Sequence, residues 1–147
     1  MNDHTENLND TYPGAGTYCF GESNADSEAQ LTLVRAGTKR LDCAALAEFG
    51  GDKDALPKVG RCDIATEWNG APALVTKTTK VEQHRFCDVT WELAMDEGMG
   101  NSLADWKAYR SAYFGRNGGF DPEMMLVFER FDVVEDLAGR GITPTKD

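Results

Sequence analysis

The sequence predicts an α+β domain, a small curved sheet or open barrel with helices packed around it. Three observations predict this. Two runs of strand character, Cys62 to Glu67 and Ala73 to Val81, flank Asn69-Gly70. That dipeptide is a strong hairpin signal because both residues accept positive φ. Helical segments cluster between the hairpin and a last strand instead of alternating with single strands, which argues against a doubly wound sheet. That last strand is the strongly apolar run from Met124 to Val134.

Each element has a local reason. Ser27 can cap a helix carrying Ala29, Leu31, Leu33, Val34 and Ala36. Gly37 stands where that helix should stop, since Gly tolerates the left-handed cap conformation. A short helix is expected over Ala44 to Glu48, before the loop forced by Gly50-Gly51-Asp52. Leu56-Pro57-Lys58-Val59-Gly60 reads as an extended entry into the hairpin. A helix from Val89 to about Asp96 is broken by Gly98-Met99-Gly100-Asn101. Ser102 caps the next helix, with Asp105 three residues on as a weak capping box. Gly118-Gly119 ends it. Extra strands are expected near Tyr18-Cys19-Phe20 and Arg40-Leu41. Residues 1–17 read as a flexible acidic leader, 18–137 as the domain and 138–147 as a flexible tail.

Composition narrows the function classes. At 147 residues the chain is long enough for one real core. The formal net charge is −10, of which the first 30 residues, lacking Lys and Arg, supply −6. Non-specific nucleic-acid binding needs Lys and Arg along a path, so any basic path here must be local. No apolar run approaches the ~20 residues of a membrane span, and the polar start is unlike a secretory signal. Neither a membrane partner nor secretion is expected; the predicted location is cytoplasmic. Cys19, Cys43, Cys62 and Cys87 lie 24, 19 and 25 residues apart, with no CxxC or zinc-knuckle spacing. They read as small buried thiols in a reducing compartment, with a disulfide pair or a reactive Cys43 as the alternative.

Lys39 follows Gly37-Thr38 on the turn that ends the first helix. A nearby carboxylate would keep it charged, as a donor to phosphate or oxyanion; burial would make it a base; a solvated lysine at a helix end is the plainer reading. Glu97 sits against the helix dipole at a helix C-terminus, which hints at another task. Trp106, Tyr109, Arg110 and Tyr113 recur at helical spacing. They could stack a base and grip a phosphate, or simply form a core face with polar tips. Trp68 and Trp91 are similarly open. His4 and His84 are isolated, so no metal ligand set is expected. There is no GxSxG elbow, P-loop or HExxH.

Several segments, in order, resemble the ASCH domain family, a relative of the PUA fold. They are Phe20-Gly21-Glu22-Ser23, Ala36-Gly37-Thr38-Lys39, Leu56-Pro57-Lys58-Val59-Gly60, Thr78-Thr79-Lys80-Val81, Phe86 to Gly98, Ser102 to Trp106, and Phe128-Glu129-Arg130-Phe131. The resemblance covers about residues 20–136 and implies a small PUA-like β-barrel with flanking helices. The family was proposed to bind RNA. Similar members include amidohydrolases that deacetylate acetylated cytidine, and ribonucleases. The amidohydrolase motif, Gly-x-Lys-x-x-Thr with a later Glu, is matched by Lys39 and Glu97. Its nucleophilic Thr is Asp42 here, followed by Cys43, and a carboxylate does not replace a hydroxyl in acyl transfer.

The leading expectation is therefore a cleft that engages RNA or a nucleotide. Lys39 would meet phosphate or oxyanion, Glu97 a base amino group or water, and Trp106, Tyr109 or Trp68 would stack the base, with Arg110 alongside. For RNA cleavage, Asp42 and Glu97 are candidate acid–base partners, with a divalent cation as a candidate helper. The alternatives are an amidohydrolase acting on a modified cytidine nucleoside and a non-catalytic RNA-binding module.

Overall fold

The computed structural model describes residues 8–138. Five strands form one mixed sheet in the order β1-β3-β4-β5-β2. These are β1 (Thr17–Cys19), β2 (Leu41–Ala45), β3 (Cys62–Thr66), β4 (Pro72–Arg85) and β5 (Met125–Asp136). β1 runs parallel to β3, and the other pairings are antiparallel. The sheet curves into a half-barrel, as an α+β fold of PUA-like type requires. The helices are α1 (Leu8–Thr11), α2 (Asn24–Arg35), α3 (Trp91–Ala94) and α4 (Leu103–Arg116). None of the described helices is long and apolar enough to cross a membrane.

The core has two parts. One gathers Leu41, Cys43, Phe86, Trp106, Phe114, Leu126 and Phe128 between α4 and the β2–β5 side of the sheet. The other packs Leu31 and Val34 of α2 against Phe20, Leu74 and Phe131. Burying large side chains of this kind stabilises by roughly 1.5–3 kcal/mol each.

Two expected stops act as chemistry demands. At the end of α2, the Gly37 amide donates to the Val34 carbonyl and the Thr38 amide to the Leu33 carbonyl. Gly37 has φ +84°, so this is a Schellman closure. It turns the chain so that the Lys39 amide also donates to the Leu33 carbonyl, at 3.1 Å. The Ser102 hydroxyl caps α4 by accepting from the Asp105 amide. The Asp105 carboxylate accepts from Asn101 one residue further out, so the box is displaced by one position.

Other expectations need correction. α2 starts at Asn24, capped by Ser23, while Ser27 is buried inside it. The expected helix over Ala44 to Glu48 is strand β2 up to Ala45, then a 3-10 turn, Leu46–Phe49. Leu41, Cys43 and Ala45 are buried on one face of that strand, and pairing with β5 overrides the helical preference of alanine. The helix expected from Val89 shrinks to α3, with 3-10 turns on either side, Phe86–Asp88 and Met95–Glu97. β4 continues beyond Val81 to Arg85. In the β3–β4 loop only Gly70 takes positive φ; the Asn69 side chain instead accepts from the Ala71 amide. The segment expected to be a leader includes α1, and the Tyr12 hydroxyl donates to Glu135 at 2.6 Å. All of the expected tail except Ala138 lies outside the described residues.

Candidate functional site: a buried ion cluster behind a cleft

Four charged side chains from three chain segments meet beneath the sheet. The Schellman turn delivers Lys39, strand β2 delivers Asp42, the turn after α3 delivers Glu97, and α4 delivers Arg110. The Arg40 amide donates to the Asp96 carbonyl at 2.8 Å, which ties the Lys39 segment to the Glu97 turn. Gly98 ends that turn at φ +77°, close against the Lys39 Cβ.

Lys39 is fully buried. Its Nζ donates to the Leu41 carbonyl at 3.0 Å and the Glu97 carbonyl at 3.4 Å. It lies 3.6 Å from Asp42 Oδ1 and 3.6 Å from Glu97 Oε2. Every polar neighbour is an acceptor, an arrangement that suits an ammonium. The Phe20 ring lies 5.7 Å away and covers the remaining side.

Glu97 is also fully buried. Oε1 accepts from Trp106 Nε1 at 2.7 Å and from Arg110 Nε at 3.2 Å, and Oε2 is paired with the second arm of Arg110. Burial alone would push the Glu97 carboxyl up. The Arg110 guanidinium, the Lys39 ammonium and the hydrogen bonds from Arg110 and Trp106 outweigh burial and hold it below the usual carboxylate range. The same pairing keeps Arg110 well above its ordinary value despite burial. Tyr109, Tyr113 and Phe114 ring the guanidinium at 5.3, 4.8 and 5.8 Å.

Asp42 is the member that reaches open space, with 37% of its side chain exposed. Oδ1 is held 3.4 Å from Arg110 as well as by Lys39, and accepts from the Cys43 amide. Oδ2 has no partner among the described residues. Asp42 lines a cleft of about 280 Å³ with Tyr18, Phe20, Arg61, Glu129 and Phe131. It also lines an adjoining recess of about 190 Å³ with Gln30, Tyr109, Arg110 and Tyr113.

The predicted site residues therefore separate. Lys39, Asp42, Glu97 and Arg110 do come together. Lys39 and Glu97, however, are enclosed and reach a ligand only through Asp42, so neither phosphate contact by Lys39 nor base contact by Glu97 fits the geometry. Trp106 cannot stack a base: it is fully buried between Phe86 and Phe128, with centroids 5.4 and 6.2 Å away. Tyr109 keeps a place on the recess wall, and burial pushes its hydroxyl up to about 12. Trp68 is half-exposed on the β3–β4 loop and lines neither cleft. Burial pushes the Cys43 thiol well up, which disfavours it as a nucleophile. His84 bonds Glu82, and among the described residues no group of three or more His, Cys, Asp or Glu is placed to hold a metal ion.

Sequence reasoning missed Tyr18, Arg61, Asp63 and Glu129. One signal was available for Glu129: a carboxylate that directly follows the apolar run Leu126-Val127-Phe128.

A single α+β domain with a half-barrel sheet and an ion cluster behind a side cleft is the class these features define. The family model described as ASCH domain matches residues 16–135, and the chain belongs to that family. ASCH domains are generally linked to RNA binding. The chain is similar to the crystal structure of an ASCH domain from Lactobacillus crispatus JV V101. The identity is 27% and the TM-score 0.77, covering 86% of this chain and 84% of that one. It is also similar to protein EF3133 from Enterococcus faecalis V583, at 28% identity and TM-score 0.76, covering 84% and 78%. No curated protein matches it significantly.

Proposed function

We propose that this ASCH domain takes a single nucleobase, from a free nucleoside or an unstacked RNA residue, into the cleft at Asp42. The observation that carries this reading is the state of Asp42: one oxygen is held by Lys39 and Arg110, and the other opens into a cleft with Phe20 and Phe131 in its wall. An ionised carboxylate is an acceptor only, so it selects ligands by their N–H and O–H donors. The cleft lining also sets the carboxylates of Asp42 and Asp63 against a single cation, Arg61. That balance repels phosphate and favours the base or sugar over the backbone. Four unpaired thiols suit a cytoplasmic setting for such a ligand.

The test is titration of isotope-labelled protein with the four common nucleosides and with short single-stranded RNA, from about 50 to about 200 mM salt. Shifts confined to cleft residues, lost in Asp42→Asn, support the reading. A nucleoside site is insensitive to salt, whereas an RNA site weakens as salt rises. If no nucleoside or RNA perturbs the cleft, the reading fails.

A second reading, amide hydrolysis on an acylated nucleoside, is favoured by the closeness of Lys39 and Glu97, which match the family's amidohydrolase motif. Without the Thr, water would be the nucleophile. Asp42 would take its proton as oxygen adds to the amide carbon, then return it to the nitrogen as the C–N bond breaks. Release of acetate from acetylated cytidine, abolished in Asp42→Asn, would establish it. Cleavage of RNA is the weaker extension, because the intended second acid–base group, Glu97, is enclosed.

A further inference from the structure

Asp42 and Glu129 are paired residues across the β2–β5 ladder. Directly opposed side chains in an antiparallel pair share one face, with Cβ atoms about 5 Å apart. Both line the 280 Å³ cleft. Their surroundings differ sharply. Asp42 has Lys39 and Arg110 behind it. Glu129 is half-buried, touches no cation, and accepts from the Thr78 hydroxyl on Oε2. Oε1 has no partner among the described residues. Neighbouring carboxylates disfavour joint ionisation, and the one without a bonded cation, Glu129, is the one that keeps a proton more readily. With Glu129 protonated, the cleft offers one acceptor, Asp42 Oδ2, beside one donor, the Glu129 carboxyl. Phe20, Pro57 and Phe131 supply apolar surface to the cleft wall.

We propose that Asp42 and Glu129 together read an amidine edge, in which Asp42 accepts from an exocyclic amino group and Glu129 donates to the adjacent bare ring nitrogen. Cytosine and adenine present that edge; in the same register uracil and hypoxanthine set C=O against the Asp42 acceptor and N–H against the Glu129 donor, so both contacts are mismatched. The inference rests on the nucleobase reading above and names the class of base. Burial, with the Asp42 and Asp63 charges added, pushes the Glu129 carboxyl up, against the opposing effects of the Thr78 hydroxyl and Arg61. Tyr18, which lines the cleft with Asp63 and Arg61, is raised by burial and stays a neutral phenol with its hydroxyl paired to Thr76. Ligand binding should accordingly weaken as pH rises and Glu129 loses its proton.

The experiment measures affinities of cytidine, uridine, adenosine and inosine by calorimetry across acid to mildly alkaline pH, for the native protein, Glu129→Gln and Glu129→Ala. The expected result is that cytidine and adenosine bind at least about tenfold tighter than uridine and inosine. Their affinity should fall with rising pH. Glu129→Gln keeps a donor, so it should retain the preference and lose the pH dependence, whereas Glu129→Ala should lose the preference. Circular dichroism of both variants checks the fold. Binding of all four nucleosides with equal affinity overturns this inference while leaving the nucleobase reading intact. So does a Glu129→Gln protein that loses the preference as Glu129→Ala does. Absence of all nucleoside binding overturns this inference, and if short single-stranded RNA also fails to bind, the nucleobase reading falls with it.

Discussion

Glu97 and Arg110, 13 positions apart, form a two-armed ion pair in which both partners are almost wholly out of water. The pair is completed by Trp106 on one carboxylate oxygen and Lys39 behind the other. Breaking one side of such a group strands a charge in low dielectric, while the intact group contributes little net stability over an apolar equivalent. The cluster is best understood as a rigid mount that fixes Asp42.

Lys39→Met should destabilise the fold by about 3–5 kcal/mol, because it leaves Glu97 and Asp42 with Arg110 as their remaining cation. Urea unfolding measures this as a lower midpoint at unchanged slope. A change under about 1 kcal/mol, the size of a surface pair, would mean that Lys39 is not part of the cluster in solution.

Glu97 contributes to the acid limb of stability. Its carboxyl is held below its unfolded value, so the folded state binds that proton more weakly than the unfolded chain. The resulting stabilisation is fully present above the unfolded value of about 4.3 and is lost as pH falls through the folded value. Glu129 has the opposite sign: raised in the fold, it favours folding at low pH and loses that contribution as pH rises through its folded value. Unfolding free energies measured from acid to neutral pH should show a shallower acid slope in Glu97→Gln and a relative gain above the usual carboxylate range in Glu129→Gln.

Trp106→Phe keeps most of the ring stack with Phe86 and Phe128 but removes the indole donor to Glu97. The expected loss is about 1.5–3 kcal/mol, the range for a hydrogen bond to a charged group. Equal thermal midpoints for variant and native protein would show that Glu97 needs only Arg110.

Thiol labelling should be ordered. Cys19 and Cys87 are exposed, Cys62 is intermediate, and Cys43 is buried with its thiol pushed up. Timed alkylation read by mass spectrometry should modify Cys19 and Cys87 first, with Cys43 protected until denaturant is added. Early modification of Cys43 would indicate that the recess wall opens.

The order of elements was legible because it rests on local chemistry. Gly37 and Ser102 end and start helices through bonds within a few residues. β2 was harder. Its Asp-Cys-Ala-Ala sequence has weak strand preference, and only pairing with β5 makes it a strand. The ion cluster was half legible. Lys39 and Glu97 stood out by position, and Arg110 by its place among aromatic residues. That Lys39 and Glu97 face inward depends on Phe20 and Trp106 covering them, which no spacing in the sequence reveals. Glu129 went unread for the same reason, since its partner Asp42 is remote in the chain and adjacent only across the ladder.

The contact between the Lys39 ammonium and the Glu97 backbone closes a loop of 58 residues. Contacts of such long sequence separation carry a loop-closure cost that is repaid only when the intervening strands have docked. The mount for Asp42 should then be among the last parts of the molecule to assemble on refolding. No excised helix or hairpin would retain it, and ligand uptake would report on a chain that has finished folding.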